Sequence, residues 1–540
     1  MEIHEFFTVW DWLVVLGYLG LTTWVGHLMR GKQATIRDFF LGGRSLPWPA
    51  VSGSLIATEI SGVTFIGVPG TLFALEGDFR YLQWALGSIL ARFLVARFIV
   101  PLYYEREIYS PYDYMGQRLG RAAKSLATVM FTVGSILGQG VRVLVAALPL
   151  RLVTPLPLEW CIVIIGLFAI GWTLMGGMRT VIWTDVMQFA LFLTGGLIAL
   201  VLAITSLSGG WGEFWSLANQ FGRTKLLDME FGFRAELEFT FWVALLAVPF
   251  QNLTAFGVDQ LNAQRMFCCR NAQEAGRALV FSSLGQILTL LMLLVGAAIF
   301  VFYHVYPMGE VERAFLQTGS ETVGGSQVPV PGTSRDYIFP MWIVRELPPG
   351  LSGLILAGVF AAAISSLDSI LAALSQTTLS LLYRPETRTD QELESMNLVA
   401  KSRWLVGAWG LLLILFTLGL NQIREGIPII SLAFGMTSYT MGPLLALLLC
   451  SILGRGRVPG LVVGFVISFL LVMLVRVDVW VLLFLADFPV AWAAALPTLE
   501  MNDAGDGVRA LFCYAWAWPV TTAVTFACGW FWPEKERVSQ

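Results

Sequence analysis

The sequence SGSLIATEISGVT, residues 52–64, places the carboxyl group of Glu59 in the middle of an apolar run that extends from residue 47 to residue 75. A charged side chain in the hydrocarbon layer is costly, so an acidic residue there indicates a functional site. Small residues around it, among them Ser61 and Gly62, permit a break in the helix. Such a break exposes carbonyl oxygens that suit Na⁺. The alternative is that Glu59 only hydrogen-bonds to a neighbouring helix.

The composition indicates one membrane-embedded body. The 540 residues are 56% hydrophobic and 13% charged, with a mean hydropathy of +0.71, whereas soluble chains carry roughly 25% charged residues. This excludes a disordered, collagen-like or cytosolic protein, and the net charge of −3 gives no indication of a nucleic-acid partner. The three His and six Cys form no CxxC or other metal-ligand pattern, and no nucleophile–base set is evident, so we do not predict an enzyme.

About thirteen apolar stretches are long enough to cross a membrane, for which a helix needs about 20 residues. They are residues 8–28, 47–75, 82–104, 125–150, 157–176, 180–206, 237–258, 278–306, 351–383, 403–420, 427–452, 457–475 and 508–531. The further stretch 477–496 is interrupted by Asp478 and Asp487. We expect it to be interfacial or re-entrant, with a fourteenth span as the alternative.

The distribution of Lys and Arg predicts the orientation of the chain. With the N-terminus outside, about twice as many of these residues fall in the inner segments as in the outer ones. The bias favours an odd number of spans and a cytoplasmic C-terminus, in the inner membrane of the cell. The longest polar insertion, residues 307–350, then lies on the outer face.

A second set of polar residues lies in the stretch AAAISSLDS, residues 361–369. On a helix, Ser365, Asp368 and Ser369 are three and four residues apart and share one face. Two hydroxyls and a carboxylate on one face form an all-oxygen site for a small cation. The alternative is a packing face whose hydroxyls bond back to their own helix.

A third set follows Pro249, where Gln251 and Asn252 offer the donors and acceptors that a polar organic solute needs. A simple proline kink with satisfied amides explains this pattern equally well. The weakened spans 47–75 and 237–258 each open a group of five helices, and because five is odd the two groups have opposite orientations. Weakened helices at corresponding positions of inverted halves predict a midplane binding site with alternating access.

Other intramembrane charges have two interpretations each. Asp185 lies about one turn inside a predicted span, either as a carboxylate favoured by the helix dipole or as part of a second cation site. Arg142 either pairs with a membrane carboxylate or meets an anionic solute. Arg92 and Asp259 are interpreted as structural or interfacial charges.

Several motifs resemble those of the sodium:solute symporter family, which includes sodium/glucose, sodium/proline and sodium/sialic acid cotransporters. The motifs are DFFLGGRSL (38–46), GGMR (176–179) with WTDVMQ (183–188), DQ (259–260) with QR (264–265), and LPPGL (347–351) with the serines of 362–369. They occur in the order that the family has, over about residues 38–385. The resemblance is therefore specific to this family.

The resemblance implies an all-α integral membrane fold with a five-plus-five inverted-repeat core. The core would cover residues 47–452, with repeats at about 47–206 and 237–452. One extra helix and a basic cytoplasmic loop would precede it at 1–46, and extra helices with a short tail would follow at 453–540.

The resemblance also implies two cation sites. The main Na⁺ site would consist of the carbonyl groups of Ala57, Ile60 and Ala362 and the hydroxyl groups of Ser365 and Ser366. A second cation site, which some members have, would lie near Asp185, Ser365, Asp368 and Ser369.

Candidate substrate-binding residues come from both lines of reasoning. They are Glu59, Thr64, Gln83, Arg142, Gln251, Asn252 and Gln286. Gln83, Asn252 and Gln286 are similar to solute-contact positions of sugar-carrying members, and Glu59 corresponds to an acidic position of the proline branch. Ala255 replaces the expected aromatic gate and Thr64 replaces an expected Gln, so galactose-type recognition is not predicted.

Together these features predict an electrogenic, sodium-coupled symporter that imports a small polar organic solute by alternating access. Sugars, amino acids and monocarboxylates all fit. Na⁺ is the expected coupling ion, and the chain is expected to act as a monomer in the bilayer, without nucleic acid. Proton coupling through Glu59 or Asp368 is one alternative. The other is a non-transporting membrane sensor, although the tail after Trp532 is shorter than the signalling domain such relatives usually carry.

Overall fold

The structure is a computed structural model of the chain. It describes residues 3–29, 41–74, 77–106, 108, 110–174, 178–228, 235–316, 319–323, 326–330, 335–383, 398–423, 429–476, 499–501 and 508–533. The predicted re-entrant stretch 477–496 lies outside the described residues.

Nine helices in the described part of the chain are long and apolar enough to cross a membrane. They are Val9–Met29, Phe79–Tyr104, Arg121–Val153, Met178–Thr205, Ala272–Val305, Leu351–Tyr383, Ala400–Gln422, Ile429–Leu453 and Val458–Val475. The helices Trp48–Glu59 and Gly62–Phe73 meet at 49° and form a tenth, broken span; we refer to this pair as the broken helix. Leu351–Tyr383, which carries Ser365 and Ser366, is called the serine helix.

Three further predicted spans coincide with shorter helices, Leu158–Thr173, Val243–Gly257 and Ala517–Phe531. None of the three is longer than 16 residues, which is less than a membrane crossing usually requires. The total of thirteen spans therefore stays a prediction, although every one of the predicted stretches overlaps a helix.

The remaining described elements are short. The α-helices are Pro111–Leu119, Gly210–Gln220, Gln260–Met266, Glu310–Leu316 and Ile338–Glu346. Short 3-10 helices lie at Ile3–Phe6, Gly42–Arg44, Arg335–Tyr337 and Tyr514–Trp516. Two antiparallel hairpins pair Gly319–Val323 with Ser326–Val330 and Leu499–Met501 with Val508–Ala510. The first hairpin belongs to the polar insertion 307–350. We predicted no strand at these positions, but the body of the molecule is helical, as predicted.

The broken helix ends its first half where the sequence predicted a break. Ile60 leaves the helical region with φ −81° and ψ 77°. Ser61 then caps the second half, because its side chain accepts a hydrogen bond from the amide of Val63 at 3.3 Å. The break therefore has a local cause, a capping serine followed by Gly62.

The helix in the other weakened span, residues 237–258, is also distorted. A π-helical turn, Val243–Ala247, comes immediately before Pro249, whose ring has no amide hydrogen to donate. The helix ends at Gly257, and Asp259 caps the next short helix by accepting from the amide of Leu261 at 2.8 Å. This agrees with the prediction that Pro249 weakens the span.

Close packing holds the broken helix at the centre of the molecule. Its first half packs against Met178–Thr205 and Ala272–Phe281, and its second half packs against Gly285–Val305. At Gly296 an added Cβ would lie 2.8 Å from the Cα atom of Pro69, so only glycine permits this approach. The serine helix contacts both halves.

Candidate functional site

The break in the broken helix releases two carbonyl groups. In a continuous helix Ala57 and Ile60 would accept hydrogen bonds from the amides four residues later. Here the amide of Ser61 donates to Glu59 O at 3.0 Å, and the amide of Thr64 donates to Ser61 O at 2.9 Å. The Ala57 and Ile60 carbonyl oxygens are thereby left available as hard ligands.

The serine helix packs against the broken helix and is linked to it through Asp185. Ser54, one turn before Ala57, donates to Asp185 Oδ2 at 2.5 Å, and Ser365 donates to Asp185 Oδ1. The Ser366 hydroxyl is buried and has no hydrogen-bond partner among the described residues. A buried hydroxyl without a partner is costly, which is consistent with a role as an ion ligand. Ala362 lies one turn earlier in the serine helix.

A buried ion pair occupies the region of the predicted second cation site. Arg265, 1% exposed, donates from Nη2 to Asp185 Oδ2 at 3.0 Å and to Ser369 Oγ at 2.6 Å. Asp368 is also buried and hydrogen-bonds to Thr173. The structure thus brings together the predicted residues Asp185, Ser365 and Ser369. The guanidinium group of Arg265 donates hydrogen bonds to two of them, Asp185 and Ser369. Sequence reasoning did not foresee the role of Arg265.

A cavity of about 190 Å³ lies next to the break. Six of the seven candidate substrate residues line it: Glu59, Thr64, Arg142, Gln251, Asn252 and Gln286. The seventh, Gln83, does not line it, because its amide donates to the backbone of Arg80 and Phe239 and its oxygen accepts from the amide of Asp228. These bonds give Gln83 a role in fixing loops. Ala255 and Asp259 also line the cavity.

One wall of the cavity is a hydrogen-bonded chain that starts at Glu59. Its carboxylate pairs with Arg92 Nη2 and accepts from Gln286 Nε2 at 3.1 Å. Arg92 donates to Ser88 at 2.7 Å, and Ser88 donates to Asn252 Oδ1 at 2.8 Å. Arg92 is fully buried, with its guanidinium carbon 4.3 Å from the centre of the Phe256 ring. Arg92 was predicted to be a structural or interfacial charge, and in the structure it forms an ion pair with Glu59.

A second group of polar atoms at the cavity has no hydrogen-bond partner within the described chain. Arg142 Nη1, Gln139 Oε1 and Asn262 Oδ1 are all buried without a hydrogen bond among the described residues, and all three residues line the cavity. The predicted ion pair between Arg142 and a membrane carboxylate is not formed within the described chain. Sequence reasoning missed Gln139 and Asn262. The sequence could have indicated Gln139, because it precedes Arg142 by three residues on the same helix and residues with this spacing are neighbours.

Aromatic side chains close the end of the cavity near Trp84. The Trp84 ring lies 5.0 Å from Phe434 and 5.9 Å from Trp518, centre to centre. Trp518, which is fully buried, donates from Nε1 to Thr437 Oγ1 at 3.2 Å. The C-terminal helix Ala517–Phe531 therefore contributes to the packing around the cavity although it lies outside the predicted ten-helix core.

The family model described as "Sodium:solute symporter family" matches residues 39–464. The chain belongs to the sodium:solute symporter family. This confirms the family resemblance and the prediction of a sodium-coupled symporter of a small solute in a multi-pass membrane protein, with Na⁺ as the coupling ion.

Relatives and a solved structure agree with this assignment. The chain is 29% identical to the human sodium/iodide cotransporter over 85% of this chain and 68% of that protein. It is 28% identical to the sodium/sialic acid symporter of Proteus mirabilis over 88% and 91%, and 27% identical to the human sodium-coupled monocarboxylate transporter 1 over 86% and 73%. A Na⁺-coupled sialic acid symporter in a substrate-bound, outward-open state matches with a TM-score of 0.75 and 22% identity, covering 97% of this chain and 96% of that one. The structural match confirms the fold class of this symporter.

Proposed function

We propose that this symporter imports a small organic carboxylate together with Na⁺. The observation that carries the proposal is the guanidinium group of Arg142, which faces the cavity with a buried Nη1 that has no partner among the described residues. Arg142 is half-buried and lies in the electrostatic field of Asp259, but the two residues form no ion pair within the described chain. A solute carboxylate would supply the missing partner of the buried Nη1, and a buried donor without a partner is costly. An arginine fork binds a planar carboxylate through two parallel hydrogen bonds, a geometry that suits this solute class.

The other charges of the cavity support an anion over a neutral sugar. Glu59 is already neutralised by Arg92, so it does not compensate Arg142. Gln139 and Asn262 offer oxygens, unpartnered in the described chain, that suit hydroxyl groups of the same solute. An amino acid is the second candidate, because Asp259 also lines the cavity and is half-buried.

Na⁺ binding at the junction of the broken helix and the serine helix is the proposed source of coupling. Its ligands would be the Ala57, Ile60 and Ala362 carbonyl oxygens and the hydroxyl groups of Ser365 and Ser366. Because Glu59 lies between Ala57 and Ile60 and also lines the cavity, Na⁺ would fix the backbone that shapes the solute site. Such linkage between two ligands is typically worth about 1–3 kcal/mol.

We further propose that the chain acts as a monomer in the inner membrane, with the N-terminus outside and the C-terminus in the cytoplasm. The excess of Lys and Arg in the inner segments supports this orientation. In it, the Trp84 end of the cavity faces outward. The Asp259 end faces the cytoplasm, because Gly257 packs against Ile99, near the far end of the helix that contains Trp84.

A thermal-shift screen of the purified protein tests the solute class. We expect short monocarboxylates to raise the melting temperature in NaCl but not in KCl, since a ligand that binds only the folded state stabilises it. The methyl ester and the amide of each active acid, which lack the charge, are the matched controls and should have no effect. Stabilisation by amino acids but not by simple acids would favour the second candidate, and stabilisation by sugars alone would contradict the proposal.

Replacing Ser366 with Ala should raise the half-saturating Na⁺ concentration for uptake about tenfold, because an ion contact of about 1.5 kcal/mol is lost. The melting temperature without Na⁺ should change little, since the hydroxyl makes no hydrogen bond to a described residue. Ser375→Ala is the matched control on the same helix; its hydroxyl bonds to Ser402 O at 3.0 Å, so its loss should leave the Na⁺ dependence unchanged. An unaltered Na⁺ dependence in Ser366→Ala would exclude this residue as a ligand.

A further inference from the structure

A second cavity, of about 330 Å³, lies at the edge of the polar insertion 307–350 and shares no lining residue with the solute cavity. Its walls include Ser206, which follows the helix Met178–Thr205, and Tyr306, which follows the helix Ala272–Val305. The hydroxyl of Tyr306 donates to Ser206 O at 2.8 Å and so joins the ends of these two helices. The cavity therefore lies where two membrane-crossing helices end.

The surroundings place this cavity at the level of the lipid head groups. The short helix Gly210–Gln220 begins four residues after Ser206 and packs against the helix Gly285–Val305. Trp211 and Trp215 of this short helix are exposed. Exposed tryptophan beside a membrane span is typical of the interface between hydrocarbon and water. In the proposed orientation of the chain, this interface is the outer one.

The cavity is lined by three charged side chains, two carboxylates and one guanidinium group, whose charges do not cancel. Glu312 is 3% exposed and forms an ion pair with Arg345, with Oε1 at 2.5 Å from Nε. Glu346 forms neither an ion pair nor a hydrogen bond within the described chain. Its carboxylate therefore leaves an excess negative charge in the cavity, with acceptor positions that no described residue uses.

Two further groups of the cavity lack a hydrogen-bond partner in the part of the chain that the structure describes. The hydroxyl of Tyr303 is one of them, although Tyr303 is only 4% exposed and lies in the electrostatic field of Glu312, Arg345 and Glu346. The terminal nitrogens of Arg345 are the other, since this residue pairs with Glu312 through Nε and contacts the Phe6 ring. A buried hydroxyl without a partner is costly, so a ligand that bonds to Tyr303 would remove an unfavourable term.

We infer that this cavity binds the head group of an ethanolamine phospholipid. Such a head group is zwitterionic, with an ammonium group and a phosphate group. The ammonium group suits Glu346, and the exposed ring of Tyr306 offers an aromatic face to the same cation. The phosphate group suits the terminal nitrogens of Arg345 and the hydroxyl of Tyr303. A primary ammonium also donates hydrogen bonds to a carboxylate, which the trimethylammonium group of choline cannot do.

A bound head group would brace the outer end of the transport core. Tyr303 belongs to the helix Gly285–Val305, which packs against the second half of the broken helix. Near the end of that half, the Phe73 ring lies 6.3 Å from the Tyr303 ring, centre to centre. A lipid that binds only the folded protein stabilises it, so lipid binding should be visible as a rise in the melting temperature.

Thermal unfolding of the purified full-length protein in detergent and KCl tests this inference without solute and without Na⁺. Dioleoylphosphatidylethanolamine should raise the melting temperature in a saturable manner. The choline lipid with the same acyl chains is the matched control and should have no such effect. Free phosphoethanolamine distinguishes a lipid from a soluble zwitterion, and we expect no effect at the same concentration. Equal responses to the two lipids, or stabilisation by free phosphoethanolamine, would overturn the inference.

Two variants test whether the named side chains hold the head group. Glu346→Gln should raise the half-saturating lipid concentration about tenfold, because a charge-assisted hydrogen bond is lost. Tyr303→Phe should raise it about fivefold, and this variant should fold because the hydroxyl bonds to no described residue. Glu310→Gln is the matched control, since Glu310 is exposed in the same insertion but does not line the cavity. An unchanged lipid dependence in either Glu346→Gln or Tyr303→Phe would overturn the assignment.

Discussion

Replacing Arg142 with Gln is expected to lower Na⁺-driven uptake of a carboxylate solute about 100-fold. Truncating one partner of a buried, hydrogen-bonded charge pair costs about 2–5 kcal/mol, and about 2.8 kcal/mol corresponds to a factor of 100. The loss should appear mainly as weaker solute binding, because the guanidinium group is a proposed solute contact and not a proposed ion ligand. Initial uptake rates in proteoliposomes with an imposed Na⁺ gradient measure it.

Two controls separate solute recognition from folding and from Na⁺ binding. Arg142→Lys keeps the charge but not the planar fork, so we expect an intermediate loss of about tenfold. Binding of ²²Na⁺ in the absence of solute should be unchanged in both variants, since Arg142 is not a proposed ion ligand. Uptake by Arg142→Gln at the wild-type rate would show that the carboxylate of the solute does not bind there.

The sequence was sufficient to predict the features that depend on local chemistry. Ser61 and Gly62 predict a helix break because small residues and glycine permit an unwound segment. Pro249 predicts a distortion because its ring removes a hydrogen bond. The shared face of Ser365 and Ser369 follows from the helix period alone. The structure has the break, the π-helical turn and the continuous serine helix at these positions.

Which charges pair could not be predicted in the same way. Arg92 is 33 residues from Glu59, and Arg265 is 80 residues from Asp185. No short-range pattern specifies which intramembrane arginine meets which carboxylate, because the choice depends on how distant helices pack. The general rule that such charges need partners predicts that pairs exist but does not identify them. Gln83 shows a related limit of sequence reasoning. Its position in the chain is similar to a solute contact of the family, but in the structure its side chain hydrogen-bonds to backbone groups of Arg80, Asp228 and Phe239.

The pair formed by Glu59 and Arg92 should be the most strongly coupled charge pair in the solute cavity. In Glu59→Gln the fully buried guanidinium group of Arg92 loses its counter-charge, and breaking a buried ion pair in this way costs about 3–5 kcal/mol. We therefore expect a large fall in the melting temperature of the detergent-solubilised protein. Arg92→Met should be similarly harmful, because it leaves the Glu59 carboxylate, which is 23% exposed, beside Gln286 as its remaining donor.

The double variant Glu59→Gln with Arg92→Met should recover most of the stability lost in either single variant. It removes both charges at once, the amide oxygen introduced at position 59 can still accept from Gln286, and a methionine side chain suits contact with the Phe256 ring. Because the two residues are in direct contact, a double-mutant cycle should give a coupling energy of about 3 kcal/mol. Arg97→Met, on the exposed side of the same helix, is the matched control and should change stability little. Additive single effects would mean that the two charges are not paired in the folded protein, and that Glu59 is instead available to bind an ion, a proton or the solute.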